Sequence, residues 1–325
     1  MRLKRGMIGL QFNWIFILVS GAIVLVLITG IVMKQSSISK ISTNALILRN
    51  LDDVLSSSEI STGTVNVVKI PKSKIEFECN RFSIDGISKQ INGMNVFAPS
   101  VLEGDSIISM TLGWSIPFKV TNFVYLTNPR IRYVLVGDNF AKDIHDSLPS
   151  EISKDYYNNF NDIKNKNDEE VRIVFFGQVP EFPSSLEGAK VTALKVSGDE
   201  NKGSVEFFDV EDNKFVNKGI SYYIRESTLL GAVFSGDIEI YECVMENVFE
   251  KLNVVSQVYE RKTDNLRLFY KDQQCEQFYD PGSIETIKES SVIFSQSSIN
   301  NIDINAKNLK LQNKQSQLFS CPLIY

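Results

Sequence analysis

Side chains that could bind or react with a ligand occur at few places along this chain. Asp138 follows a predicted strand that ends in Gly137, and Gln178 follows Gly177 at the corresponding point of a later strand. Open α/β sheets bind ligands outside the carboxyl ends of their parallel strands, which makes Asp138 and Gln178 ligand-site candidates. The alternative is that Asp138 caps the following helix and that both glycines form turns.

The chain has few residues that could serve in histidine-based or nucleophilic catalysis. His145 is the only histidine, which excludes mechanisms that need two imidazoles, including most zinc sites. Its position favours the surface of a helix. Ser37 and Lys40 match S-x-x-K, but the companion motifs of that chemistry are missing, as are the common hydrolase and nucleotide-binding signatures. We therefore expect no catalytic residue, no cofactor and no metal ligand.

The four cysteines all follow the apolar N-terminal segment: Cys79, Cys243, Cys275 and Cys321. An even number of cysteines in an oxidising compartment predicts two disulfides, the alternative being buried free thiols. Their spacings match no zinc pattern. Because Cys243 lies early in the strongest predicted helix and Cys275 lies on a segment that could double back against it, we expect Cys243–Cys275 and Cys79–Cys321.

The N-terminal segment has the composition of a membrane helix. Residues 12–33 carry no charge, and at about 1.5 Å per residue they can cross a hydrocarbon core of about 30 Å. The basic tail, residues 1–11, should be cytoplasmic because positive charge is concentrated there. A cleavable secretory signal is the alternative, although its apolar region would be shorter. We expect a single-pass protein of the cell membrane whose C-terminal domain is extracytoplasmic.

Charge and glycosylation motifs narrow the class of partner. Only three of the 34 basic residues lie in residues 1–33, whereas all 39 acidic residues lie beyond them. An acidic domain argues against nucleic acid as a partner. The chain contains no N-x-S/T acceptor, which argues against a eukaryotic secreted glycoprotein and favours a prokaryotic envelope protein. The expected partners are the lipid bilayer and another protein of the cell envelope.

The stretch KRGMIGLQF over residues 4–12 runs directly into the apolar helix. It resembles the class III signal of archaeal type IV pilin-like proteins, in which basic residues and a glycine precede the cleavage point. The resemblance implies processing between Gly6 and Met7. In that family a carboxylate five residues into the mature chain aids assembly, whereas this chain has Gln11 there. The whole chain also resembles membrane-anchored archaeal proteins of unassigned activity. The alternative is a plain signal anchor.

Hydrophobic periodicity divides the remaining residues into three parts. Residues 34–63 carry apolar residues at spacings of three and four, which predicts a stalk helix or linker. Residues 64–283 carry short β-type runs and are predicted to form the outer domain. Within them, the order strand, helix, strand over 131–176 predicts a βαβ unit with parallel strands. Later runs joined by short glycine turns predict antiparallel strands near 191–196, 204–208, 222–225 and 229–234. The predicted fold class is α/β, a mixed sheet with covering helices.

Two helical regions are predicted near the C-terminus. Apolar residues recur at spacings of three and four over 241–259, opposite a face of glutamates, so this helix should cover one side of the sheet. Residues 284–325 are predicted to form a helical tail packed on the domain. Its sparse apolar stripe consists of Ile293, Ile299, Ile302, Leu309 and Leu318.

These patterns favour a non-enzymatic envelope protein that binds or assembles with another protein. Three alternatives remain open at this point. The first is an anchored enzyme that depends on carboxylates, led by Asp138; the second is a small-ligand receptor that uses the strand ends; the third is a pilin-like surface subunit.

Overall fold

A computed structural model describes residues 7–91, 93–164 and 170–325. Within them the chain forms a long N-terminal helix, two mixed β-sheets of six strands each and further helices, so the α/β fold class is confirmed. The chain divides into two compact units, residues 1–50 and residues 51–325.

The first helix, α1, extends without interruption from Met7 to Ile60. Its segment Phe16–Gln35 is long and apolar enough to cross a membrane, and none of it is buried inside the protein. A membrane anchor and a signal sequence both have these properties. The last turns of α1 belong to the second unit, where Leu51 and Leu55 are buried.

The first sheet has the strand order β3-β2-β1-β5-β6-β4, and every neighbouring pair is antiparallel except β4 with β6. Pro71 lies within β1. The register with β5 shifts between Lys69 and Ser73, because proline has no N–H to donate to the ladder and is accommodated at an irregularity. The strands are β1 (Val65–Glu78), β2 (Arg81–Ile84), β3 (Ile87–Gln90), β4 (Asn95–Phe97), β5 (Val101–Ser115) and β6 (Lys119–Thr127).

The second sheet has the order β12-β11-β10-β9-β7-β8. Strands β8, β7, β9 and β10 are mutually parallel, whereas β11 and β12 continue the sheet antiparallel. The predicted parallel pairing of the runs near 131–136 and 171–176 is confirmed, as is the mixed sheet. Helix α2 (Asn139–Ser147) follows β7. The strands are β7 (Ile131–Val136), β8 (Lys154–Tyr157), β9 (Glu170–Phe176), β10 (Lys190–Gly198), β11 (Lys202–Glu211) and β12 (Lys214–Ile224).

One predicted strand is wrong. Residues 229–234 form the end of helix α3 (Glu226–Phe234), in which every residue from Ser227 onward is buried. A helix that is apolar on all sides is typical of a core position. The apolar run of α3 is short and continuous, so its sequence has no periodicity that would distinguish a buried helix from a buried strand. Gly231 allows the close packing, since a Cβ there would lie 2.7 Å from the ring of Phe97.

Helix α4 (Ile238–Phe269) confirms the clearest helix prediction and is longer than predicted. It packs against both sheets. The ring of Tyr241 lies 5.8 Å from Phe97 of β4 and 5.8 Å from Phe207 of β11. From the first sheet, Trp114 Nε1 donates to the carbonyl of Ile224 at 3.2 Å. The two sheets therefore share one core with α3 and α4.

The C-terminal region forms two helices, α5 (Gly282–Ser290) and α6 (Gln296–Leu318). The predicted stripe is only partly correct: Ile299, Ile302 and Leu309 are buried, but Ile293 is 67% exposed and Leu318 73% exposed. Ile293 lies between the two helices and Leu318 ends α6, so neither continues the helical face that packs on the domain.

The prediction of two disulfides is confirmed, but the predicted pairing is wrong. Cys79 is bonded to Cys243 and Cys275 to Cys321, with Cα–Cα distances of 5.8 and 5.7 Å. Cys79 follows β1, and that end of the strand lies beside the first turns of α4. Cys275 and Cys321 follow the C-terminal ends of α4 and α6, which lie together. Sequence spacing gave no information on which helix ends are neighbours.

Candidate functional site

The predicted ligand-site candidates lie at the carboxyl ends of β7 and β9. Asp138 is the exposed N-cap of α2, and its Oδ1 accepts from the backbone N–H of Phe140 at 3.0 Å and of Ala141 at 3.4 Å. Asp138 therefore caps α2, which is the role predicted from the sequence as the alternative to ligand binding. Gln178 is exposed and follows Gly177. Ligand binding by Asp138 and Gln178 stays a prediction.

His145 lies on α2, where its Nδ1 is 2.9 Å from Oδ1 of Asp146 and its ring is 6.2 Å from that of Tyr156. Hydrogen bonding to His145 lowers the pKa of the Asp146 carboxyl. These contacts account for His145 as a helix-surface residue. Of the predicted processing site, Gly6 lies outside the described residues, and Met7 is the first residue of α1.

A cavity of about 330 Å³ lies at the opposite end of the second sheet, at the amino ends of β7, β9 and β10. The first residues of these strands stand side by side, with Glu170 paired to both Ile131 and Lys190. Alternate residues of a strand face the same side of a sheet. Each strand therefore contributes its first and third residues to the wall, giving the pairs Ile131 and Tyr133, Glu170 and Arg172, and Lys190 and Thr192.

The other walls of the cavity come from three further elements. Asp209 of β11 is paired to Thr192 and completes the sheet side. The segment Pro99–Val101, which leads into β5, and the turn between α3 and α4, residues 234–237, close the opposite side. The cavity thus lies where the second sheet meets the end of one buried helix and the start of another.

Arg172 is the most unusual side chain of the cavity, because it is charged and only 4% exposed. Its Nη2 donates to the carbonyls of Ala232 at 3.1 Å and of Ser235 at 2.8 Å, at the C-terminal end of α3. Cations are favourable at helix C-termini. Its guanidinium carbon lies 5.5 Å from the ring centroid of Phe207, within the range of a cation–π interaction.

Two nitrogens of this buried guanidinium have no partner among the described residues. Both Nε and Nη1 of Arg172 are closed to solvent, and neither donates a hydrogen bond to an acceptor in the part of the chain that the structure describes. Leaving buried donors unsatisfied costs about 1–3 kcal/mol, and more for a charged group. The helix-capping role of Arg172 uses Nη2 alone, so it leaves these N–H groups unexplained.

The charge of Arg172 persists despite its burial. Burial lowers the pKa of the guanidinium to about 10, while Tyr133 and the carboxylates of Asp209, Asp237 and Glu170 act in the opposite direction. The side chain is therefore a cation at neutral pH. Carboxylates surround it at longer range, and none of them forms an ion pair with it in the part of the chain that the structure describes.

The carboxylates of the cavity differ in their partners. Glu170 is paired to Lys190 at 2.8 Å, and Asp209 lies 3.6 Å from Lys218. Asp237 has no cation partner among the described residues. Its Oδ1 accepts from the N–H of Ile240 at 2.8 Å, which caps α4, and its Oδ2 accepts from Ser100 Oγ at 2.6 Å.

Sequence reasoning did not single out this site. The run VRIVFF in residues 171–176 has the pattern of a buried strand, although lysine and arginine are almost never fully buried unless paired. The cation inside that run was the available signal. Its partners come from β10, β11 and the α3–α4 turn, which are remote in sequence.

No family model, no curated protein and no solved structure matches the chain. Its function is therefore argued from the geometry of its own residues.

Proposed function

We propose that this chain is a single-pass membrane protein whose extracytoplasmic domain is a non-enzymatic binding component of the cell envelope. The observation that carries the proposal is the presence, in one chain, of an apolar helical segment, Phe16–Gln35, none of which is buried, and a domain in which all four cysteines are disulfide-bonded. The N-terminus is cytoplasmic and the domain lies outside.

The exposed apolar side chains of α1 support the placement of this helix in a lipid bilayer. Its large apolar side chains between Phe16 and Met33 are each at least 52% exposed. Burying one such side chain contributes about 1.5–3 kcal/mol, so the sum over this segment strongly favours a lipid environment. The helix also continues unbroken to Ile60. A cleavage just beyond the apolar segment would cut within a regular helix, which favours a retained anchor over a removed signal.

The disulfides support an oxidising location for the domain. Disulfides persist in secreted and envelope proteins and are rare in reducing cytosol. The sequence separations of 164 and 46 residues correspond, in the chain-entropy view, to about 5 and about 4 kcal/mol of stabilisation. A reducing compartment would remove that stabilisation.

Reporter fusions in a bacterial host test the orientation. Alkaline phosphatase, which is active only where its own disulfides form, is fused after Tyr325 and, as the control, after Gln11. We expect activity from the first fusion alone, together with digestion of the domain by protease added to intact cells. Absence of activity from a stably expressed fusion after Tyr325, or protection of residues 64–325 until lysis, would show the reverse orientation.

A second candidate function is a surface-assembly subunit related to pilins, and the edge of β1 favours it. Val65–Lys69 pair with β5 on one side, and β2 joins the other side only from Ile75 onward. Among the described residues no strand covers that edge. Val67 is 52% exposed there. An unpaired strand edge can accept a strand from another molecule.

The assembly candidate is tested with the full chain in mild detergent. Val67→Lys should lower its oligomeric state if the β1 edge carries the contact, whereas Ile220→Lys, at an exposed position of the edge strand β12, is the matched control. A monomeric wild-type chain would remove this candidate. Mass spectrometry of the N-terminus tests it independently, since a pilin-type subunit should begin at Met7.

A further inference from the structure

We propose that the cavity around Arg172 binds a small zwitterion that carries both a carboxylate and an ammonium group, such as a free α-amino acid. This inference deepens the binding function proposed above and depends on it. The carboxylate pairs with Arg172, and the ammonium group lies against Asp237 and Asp209.

The carboxylate end of the ligand is assigned by the unpartnered nitrogens of Arg172. The guanidinium carries five N–H donors and no acceptor, and an ionised partner such as a carboxylate forms the stronger, charge-assisted hydrogen bonds with it. With Nη2 held by the end of α3, the remaining Nε–H and Nη1–H groups are the donors that lack acceptors. Because Nε–H and Nη1–H point to opposite sides of the guanidinium, a carboxylate oxygen accepts from one of them, and the carboxylate supplies a compensating charge to the buried cation.

The ammonium end is assigned by Asp237. This carboxylate lines the same cavity and, within the described ranges, pairs with no cation. It accepts one hydrogen bond at each oxygen, and an ionised carboxylate has about four lone-pair sites. It can therefore accept further bonds from an ammonium group without releasing the cap of α4. Asp209, half exposed at the rim, adds negative charge on that side.

The balance of charge distinguishes a zwitterion from simpler ligands. The lining holds two cations, Arg172 and Lys190, and three carboxylates, Glu170, Asp209 and Asp237. A simple anion would add to an existing negative excess, and a simple amine would leave the buried guanidinium without acceptors. A zwitterion satisfies both unpaired groups and leaves the net charge of the site unchanged.

The size of the cavity sets the scale of the ligand. A volume of about 330 Å³ lies at the lower end of the range for small-molecule pockets, about 300–1,000 Å³. It suits an amino acid better than a peptide. Because Nε and Nη1 are closed to solvent, the carboxylate reaches one of them by displacing part of the wall, so binding involves a local adjustment around Arg172.

The test measures binding to the full chain in detergent by calorimetry and by the shift in melting temperature. The probes are glycine, L-alanine, L-serine and L-glutamate, with acetate and methylamine as the two separate halves of the zwitterion. We expect saturable binding of at least one amino acid and no comparable binding of either half. Equal binding of acetate, or no binding of any amino acid by a folded chain, would overturn the proposal.

Two matched variants locate the site. Asp237→Ser removes the carboxylate but keeps a side chain that can cap α4, and it should weaken binding at least about tenfold, the loss expected for one charge-assisted contact. Asp199→Ser removes an exposed carboxylate that likewise accepts backbone N–H bonds, after the carboxyl end of β10, and should leave affinity unchanged. The opposite result would place the ligand at the strand carboxyl ends.

Arg172→Gln tests the carboxylate end and should abolish binding. Because the substitution also removes a cap of α3, its fold is checked by circular dichroism, and Asp237→Ser carries the test if the variant does not fold. Unchanged affinity in either folded variant would contradict the assignment. The outcome is independent of the topology experiment, since a correctly oriented anchored protein that binds no amino acid would overturn this inference alone.

Discussion

Arg225 Nη1 donates to Asp303 Oδ1 at 2.8 Å and so joins the end of β12 to the buried face of α6. The Asp303 side chain is 1% exposed and also accepts from Lys307 Nζ at 2.8 Å. Lys202 of β11 lies 3.7 Å away. A buried carboxylate surrounded by three cations thus attaches the polar C-terminal helix to the second sheet.

Replacing this carboxylate should destabilise the domain. Asp303→Asn keeps the shape of the side chain but leaves the cations without an anion, and breaking a buried pair typically costs about 3–5 kcal/mol. Urea unfolding of the full chain measures the change. The control is Asp162→Asn, which replaces an exposed carboxylate. It should change the free energy of unfolding by less than about 0.5 kcal/mol. Similar values for the two variants would refute the role of Asp303.

The same carboxylate should shape the stability of the protein in acid. Burial acts to raise the pKa of Asp303, but hydrogen bonds from Lys307 and Arg225 outweigh it and lower the pKa below 3.8. A lowered folded-state pKa contributes stability that is fully present above the unfolded-state value and is lost as pH falls through the folded-state value. Melting temperature measured from pH 6 to pH 3 should fall less steeply in Asp303→Asn than in wild type. Parallel curves would contradict this linkage.

Disulfide mapping should recover Cys79 linked to Cys243 and Cys275 linked to Cys321. Thiols are alkylated before digestion so that no exchange occurs during sample handling. The double variant Cys79→Ser with Cys243→Ser should lose about 5 kcal/mol and the other pair about 4 kcal/mol, in the chain-entropy estimate. Recovery of a Cys243–Cys275 peptide would show that the observed pairing is wrong.

A single methyl group in α3 should disturb the core between the sheets. In Gly231→Ala the new Cβ would lie 2.7–2.9 Å from ring atoms of Phe97, and overpacking of this kind costs about 1–3 kcal/mol. Gly113→Ala is the control, since its Cβ would meet no atom closer than 3.5 Å. Thermal unfolding compares the two variants, and an equal effect at both positions would argue against the close packing of α3.

The sequence pattern within one segment was sufficient to predict those elements whose apolar residues define the element by their own spacing. The stripe of α4 and the parallel pair β7 and β9 could be predicted because spacing within one segment defines each of them. Helix α3 could not, since a continuous apolar run is compatible with either a buried helix or a buried strand. Only its position between two sheets determines the outcome.

The candidate site could not be predicted from the pattern within any single segment, for a related reason. Arg172 is surrounded by groups from α3, β10 and β11, whose proximity depends on the strand order of the second sheet. Asp138, by contrast, was singled out from a general rule about strand ends, and the structure uses it as a helix cap. The cysteine pairing required the same missing knowledge of which helix ends lie together.

The bond between Cys79 and Cys243 has a consequence for the response of the domain to proteolysis. It encloses the whole second sheet and most of the first within one covalent loop of the chain. A protease that cuts once inside this loop therefore releases no fragment. Both pieces stay joined through the bridge, and the nicked domain would keep its mass on a non-reducing gel while separating into two bands after reduction.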